Sequence, residues 1–171
     1  MSRLTVGSIE GLTENSNVIS VPTGHTLNAV DGLQINGVSA GAYTDYSGSI
    51  TFSSFTLGNG TVDWAYYTQI NDFVHYVGQV TLGSTSSVTG NVDVSLPVNA
   101  LNRERASGRV EFIDSGVGAF NGSAHTYGSV MLIYAEDASA TYSRAFNFNA
   151  TRPFTWTTND LFAWSIFYRA A

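Results

Sequence analysis

Leu161-Phe-Ala-Trp-Ser-Ile-Phe-Tyr168 decides the fold. Side chains alternate across a strand, so Phe162, Trp164, Ile166 and Tyr168 line one face while Leu161, Ala163 and Phe167 line the other. Both faces are apolar. One can fill the core of a sandwich, and the second then needs a cover. A neighbouring subunit is the simplest cover, because a soluble monomer seldom leaves a large contiguous apolar patch in water. Phe162, Trp164, Ile166 and Tyr168, together with Trp64 and Tyr66, are accordingly the candidate subunit-interface residues.

Upstream of this stretch the same period of two recurs. From Phe73 to Leu82, Val74, Tyr76, Val80 and Leu82 face one way and His75, Gln79 and Thr81 the other. Further strands are expected over 50–57, 61–70, 91–96, 109–114, 117–120, 124–135 and 141–148. Breaks are expected at Gly58-Asn-Gly60, Asn71-Asp72, Ser115-Gly116, Asn121-Gly122 and Glu136-Asp-Ala-Ser139. Residues 99–107 have the composition of one helical turn. So many short strands, with no other helical signal and no fixed repeat, predict an all-β protein: an antiparallel β-sandwich, jelly-roll-like, with an extended N-terminal arm.

Residues 1–45 carry the arm and its joint, and 46–171 the sandwich domain. In the arm, short β-prone pieces containing Leu4, Val6, Ile9, Val18, Ile19, Val21 and Leu27 are separated by turn signals such as Pro22-Thr-Gly24. No piece is long enough to make a core alone, so the arm is expected to gain structure by packing on something else. The small, polar stretch Ser39 to Gly48 is the joint.

Composition narrows the function. Of 171 residues 43% are hydrophobic, which is ample for a core, yet only 12% are charged, against the usual ~25%. All seven basic residues are arginine, and the net charge is −6. That balance argues against a non-specific grip on nucleic acid, which needs clustered Lys and Arg. Arg103, Arg105 and Arg109 form the one basic cluster, interrupted by Glu104 and Glu111. Cysteine is absent, so no disulfide or thiolate site contributes. No apolar run reaches the roughly 18 residues of a membrane span, and the N-terminus lacks the layout of a signal peptide. A soluble chain made in a cytoplasm is expected, with no nucleic-acid or membrane partner.

No constellation specifies a reaction. Gly37-Val-Ser-Ala-Gly41 matches the nucleophile-elbow pattern, but Ser39 would need a strand before it and a helix after it. His25, His75 and His125 are too far apart for a local metal motif, although a three-fold axis would gather three copies of one histidine. Glu136-Asp137 pairs two carboxylates, which neighbouring strand positions send to opposite faces. Gly116-Val-Gly118 lacks the rest of a dinucleotide fingerprint. No catalytic residue, metal ligand or cofactor is therefore assigned. Trp64, Tyr66, Tyr67, Tyr127, Tyr142 and Trp156 recur outside a single core face. They suit either a subunit interface, which is favoured, or stacking on sugar rings.

Two stretches carry a resemblance. Leu4-Thr-Val-Gly-Ser-Ile-Glu-Gly-Leu12, followed by Asn17-Val-Ile-Ser-Val-Pro-Thr-Gly-His-Thr-Leu27, resembles the opening of many virion structural proteins of tailed phages, particularly marine and cyanobacterial ones. Tyr67 to Leu82, with Pro153-Phe-Thr-Trp-Thr-Thr-Asn-Asp-Leu-Phe-Ala-Trp164, is similar to a C-terminal β module of phage tail fibres and head decoration proteins. The resemblance implies a non-enzymatic homotrimer on the particle surface, made in the host cytoplasm and attached through its arm. Tail fibres usually set a long shaft between arm and module, whereas the joint here is about ten residues long. That difference favours a capsid decoration (cement) protein that binds the major capsid protein or another virion protein. The alternative is a short tail fibre or receptor-binding tip that takes host-surface glycan.

Overall fold

The computed structural model describes residues 34–35, 38–39, 41–137 and 144–171. The chain divides into two compact units, Met1–Ser39 and Ala40–Ala171. In the first, β1 (Gln34–Ile35) and β2 (Val38–Ser39) pair antiparallel, with Ile35 opposite Val38. Ser39 thus lies in a two-stranded ribbon and not at a strand-to-helix elbow. The arm residues Leu4, Val6, Ile9, Val18, Ile19, Val21 and Leu27, and His25 with them, lie outside the described residues, as does Tyr142.

The second unit contains β3 (Thr44–Asp45), β4 (Phe52–Thr56), β5 (Thr61–Ile70), β6 (Phe73–Thr81), β7 (Ser87–Ser95), β8 (Glu104–Asp114), β9 (Gly118–Tyr127), β10 (Val130–Asp137), β11 (Arg144–Asn147) and β12 (Leu161–Arg169). No helix occurs among the described residues. All ten strands form one antiparallel sheet in the order β3-β5-β6-β12-β8-β9-β10-β7-β4, with β11 also on β10. The joint read from sequence reaches into this sheet, because Thr44 and Asp45 pair with Tyr67 and Tyr66.

The expected all-β, antiparallel, sandwich-like architecture is what the chain adopts. It is reached by curling a single sheet, so that its inner face packs against itself. Phe162 on β12 shows the curl: its ring lies 5.8 Å from Phe55 and 6.3 Å from Phe52, both on β4, five places away in the strand order. Phe148 at 5.1 Å and Trp156 at 6.2 Å complete a layer around it. Tyr46 helps to close the curl from the other side. Its backbone N–H donates to Ala65 on β5, while its hydroxyl meets Ser95 Oγ at 3.1 Å at the end of β7.

Two inward glycines stand where a neighbouring ring fills the space of a side chain. Gly78 occupies an inward position on β6 directly opposite Trp164, and a Cβ there would fall 2.1 Å from the indole. Gly122 is likewise inward on β9, where a Cβ would meet the Phe112 ring at 2.5 Å. Asn121-Gly122 therefore lies inside a strand. The true break is at Gly128, whose φ of 58° suits a residue without Cβ. The helical turn expected over 99–107 is also absent: β8 begins at Glu104, and an irregular register runs from there to Gly108.

The loop before β12 is fixed by Asp160, a fully buried carboxylate. It accepts hydrogen bonds from the Ser115 N–H at 2.9 Å, the Thr157 N–H at 2.5 Å and the Thr157 hydroxyl at 3.2 Å. A buried carboxylate is tolerable only when its lone pairs are met in this way. The contacts tie the β8–β9 turn to the entrance of β12.

Candidate functional site

Phe162, Trp164, Ile166 and Tyr168 are at most 3% exposed within a single chain. The structure gives them to the chain's own core, which corrects their placement at a subunit interface. Each faces inward, and Tyr168 adds a hydrogen bond from its hydroxyl to the Val98 carbonyl at 2.9 Å. Trp64 and Tyr66, by contrast, reach the outer side of the sheet. What remains for a partner is the opposite face of the same strand and of its neighbours.

On that outer face the register aligns side chains across β5, β6 and β12. Ile70 stands opposite Phe73, Thr68 opposite His75, and Tyr66 opposite Val77. His75 and Val77 in turn stand opposite Phe167 and Ser165. Tyr43, just ahead of β3, joins this group. Tyr43, Ile70, Phe73 and Phe167 are each about half exposed, and Tyr66 is exposed as well. Phe73 and Phe167 stack at 5.5 Å, and a shallow recess of about 360 Å³ opens between Tyr43, Trp64, Tyr66 and Val77. This is one continuous aromatic surface.

His75 sits in its middle. The ring lies 4.1 Å from Phe167 and nearly parallel to it, at 10°. Nδ1 is 2.6 Å from the Tyr43 hydroxyl and Nε2 is 3.0 Å from Ser165 Oγ. Either neutral tautomer satisfies both bonds, since one nitrogen donates, the other accepts, and each hydroxyl does the converse. Burial pushes the His75 pKa below the ordinary histidine value. The set Ser165, His75 and Tyr43 has the order of a nucleophile, a base and an orienting group. A hydrolase also needs donors for an oxyanion. Here β12 is laddered to β6 on one side and to β8 on the other, so the backbone N–H groups around Ser165 are committed to the sheet. The network holds β6, β12 and the Tyr43 segment together.

Charge lies at the margins of the face, and most of it is hydrogen-bonded within the chain. Asp63, beside the irregular register between Val62 and Trp64, accepts from Thr61 and Thr81 hydroxyls at 2.6 Å each and from Gln79 at 2.9 Å. Burial opposes its ionisation, but those three bonds together hold its carboxyl below the usual range. Arg169 pairs with Glu104 at 3.4 Å and Arg109 with Glu111 at 3.3 Å. Arg109 also donates to Asn121 at 3.0 Å.

The remaining sequence candidates are dispersed. His125 packs on Tyr134 at 4.5 Å, on β9 and β10. Arg103 lies over Tyr127 at 5.8 Å. Tyr67 and Trp156 pack against the core. Glu136 and Asp137 border a recess of about 420 Å³ with Phe120, Phe146 and Arg152, whose guanidinium covers the Phe146 ring at 4.3 Å. Among the described residues no group of three histidines, cysteines or carboxylates is placed to hold a metal. Sequence reasoning missed Tyr43, Ile70 and Phe73 as parts of a surface. The available signal was the pair Ile70 and Phe73 flanking the Asn71-Asp72 turn, which puts both on one face. No protein-family model, curated protein or solved structure matches the chain.

Proposed function

We propose that this chain is a non-enzymatic structural protein of a phage virion: a homotrimeric capsid decoration protein, attached through its N-terminal arm, that stabilises the shell by buried contact area. The observation that carries the assembly part of this reading is the aromatic outer face of β5, β6 and β12. Its centre holds Tyr43, Tyr66, Phe73, His75 and Phe167 and no charged side chain, while charged groups, two ion pairs among them, lie around it. Aromatic centres with polar rims are the anatomy of protein interfaces.

The proposed occupant is another copy of the chain, and charge bears on which face it would use. Copies carry −6 each and repel in general, so they approach best through a face whose centre carries no charged side chain. In a closed trimer the contact is heterologous, and the aromatic face meets a different surface of the next copy. The virion assignment rests on the resemblance of the arm and of the 67–82 and 153–164 stretches. The glycan-binding alternative draws less support from this face. A sugar needs free polar groups beside the rings, whereas His75, Asp63 and Gln79 already spend theirs within the chain.

Light scattering of the purified full chain tests the assembly claim: a mass of three times 18.3 kDa is expected, and a monomer at micromolar concentration overturns it. Copy number then tests the virion claim. Particles should carry the protein in numbers comparable to the capsid subunit, whereas a few copies per particle would favour the tip.

A further inference from the structure

His75 is the one titratable group with a working range near neutrality inside the aromatic face, where its ring is packed on Phe167 and partly removed from water. From the contact between copies argued above, on which this rests, we infer that the β5–β6–β12 face associates with His75 neutral and lets go when that ring takes a proton. The assembly is then gated by acid.

One face of the imidazole is covered by Phe167 at 4.1 Å, and both nitrogens are held, by Tyr43 and Ser165. Its neighbours on β6 and β5, namely Phe73, Val77, Thr68 and Tyr66, carry no charge near neutrality. The charged groups on the packed elements are Asp45 on β3, Asp63 on β5, Asp72 in the β5–β6 turn, Arg169 on β12, and Glu104, Arg109 and Glu111 on β8. Asp45 is engaged with the Ser47 N–H at 2.8 Å, Arg169 with Glu104, and Arg109 with Glu111. Among the described residues no carboxylate is hydrogen-bonded or ion-paired to the imidazole, whose nitrogens meet only the Tyr43 and Ser165 hydroxyls.

In the free chain water reaches the exposed edge of this group and burial lowers the His75 pKa only in part. Covering the face with another copy removes that water and disfavours the cation further. The sign follows: a group whose pKa is lowered by association binds protons more readily when free, so protons compete with the contact. Association is at full strength above the free ring's pKa and weakens as pH falls through it, by about tenfold for each further pH unit per contact. Because burial has already lowered the pKa, the loss sets in below the ordinary histidine value of ~6.5.

Whole-molecule electrostatics predicts the opposite. Acid neutralises carboxylates on a chain of net charge −6, which reduces repulsion between copies and tightens association. The direction of the pH effect therefore separates the two causes.

Sedimentation equilibrium of the full chain from pH 7.5 to pH 5, at constant ionic strength and with circular dichroism confirming the fold at each pH, provides the test. The native chain should dissociate, with its association constant falling about tenfold or more across the range. His75→Gln keeps polar contact with Ser165 and cannot titrate, and His75→Phe keeps the stack on Phe167. Both should associate at pH 7.5 and hold or tighten as the pH falls. A native chain that is monomeric at pH 7.5 overturns the assembly reading and the gate together. A native chain that associates but does not weaken in acid, or a His75→Gln chain that weakens equally, overturns the gate alone. So does failure of both variants to associate while folded, since the ring would then act by packing.

Discussion

The two faces of β12 carry similar apolar material and meet opposite ends. Inward, Phe162, Trp164, Ile166 and Tyr168 are almost wholly buried among residues of the same chain. Outward, Phe167 is 47% exposed beside an exposed Ser165. The difference arises from the sheet and not from the strand. Curling brings β4 over the inner side of β12, so that side is completed internally, while nothing in the described residues crosses the outer side. Apolar residues on both faces of a strand thus do not share one fate, because the curl of the sheet covers only one of them.

The largest effect expected from breaking this contrast comes from the inner face. Trp164→Ala removes the indole packed against Tyr76 at 5.4 Å and against the bare backbone of Gly78, and should cost about 3–5 kcal/mol of unfolding free energy by urea denaturation. A loss under about 1 kcal/mol would mean that the core is not organised around this ring.

A smaller change is expected from the outer face, and it falls on a different observable. Phe167→Ser should leave stability within about 0.5 kcal/mol, since the residue is half solvated, yet abolish self-association in sedimentation. If the variant assembles normally, the partner lies elsewhere. The smallest effect has the reverse sign. The Tyr76 hydroxyl is buried with no hydrogen-bond partner among the described residues, and burial drives its pKa upward. Tyr76→Phe removes an unmet polar group, so stability should stay level or rise by up to about 1 kcal/mol. A marked loss would reveal a partner for that hydroxyl.

Much of the fold was legible. The expected strand over 61–70 has the bounds of β5, and the alternation from Val74 to Leu82 matches the burial seen in β6. Periodicity works there because each strand has one wet face and one dry face. It failed where glycine was read as punctuation. Gly122 sits mid-strand because the Phe112 ring of the neighbouring strand occupies the space of a side chain, and nothing within a few residues announces that. The surface patch was legible only in part. His75 and Phe167 were read as outward, and Trp64 and Tyr66 as contact residues. Tyr43 was hidden in a stretch that resembled a linker, and becomes part of the face only because Thr44 and Asp45 pair with β5. A one-dimensional pattern shows which side a residue takes, not which strand will cover it.

The place of β12 between β6 and β8 also governs how the protein is born. A ribosome delivers β12 after every strand it joins, so the nascent polypeptide holds the β5–β6 hairpin and the β8–β9–β10 meander as separate pieces with facing open edges. The closing strand zips both at once, through nine pairs with β6 and six with β8. Until then those edges are exposed to strangers, and the interval is a window for edge-to-edge misassembly that slow translation would widen.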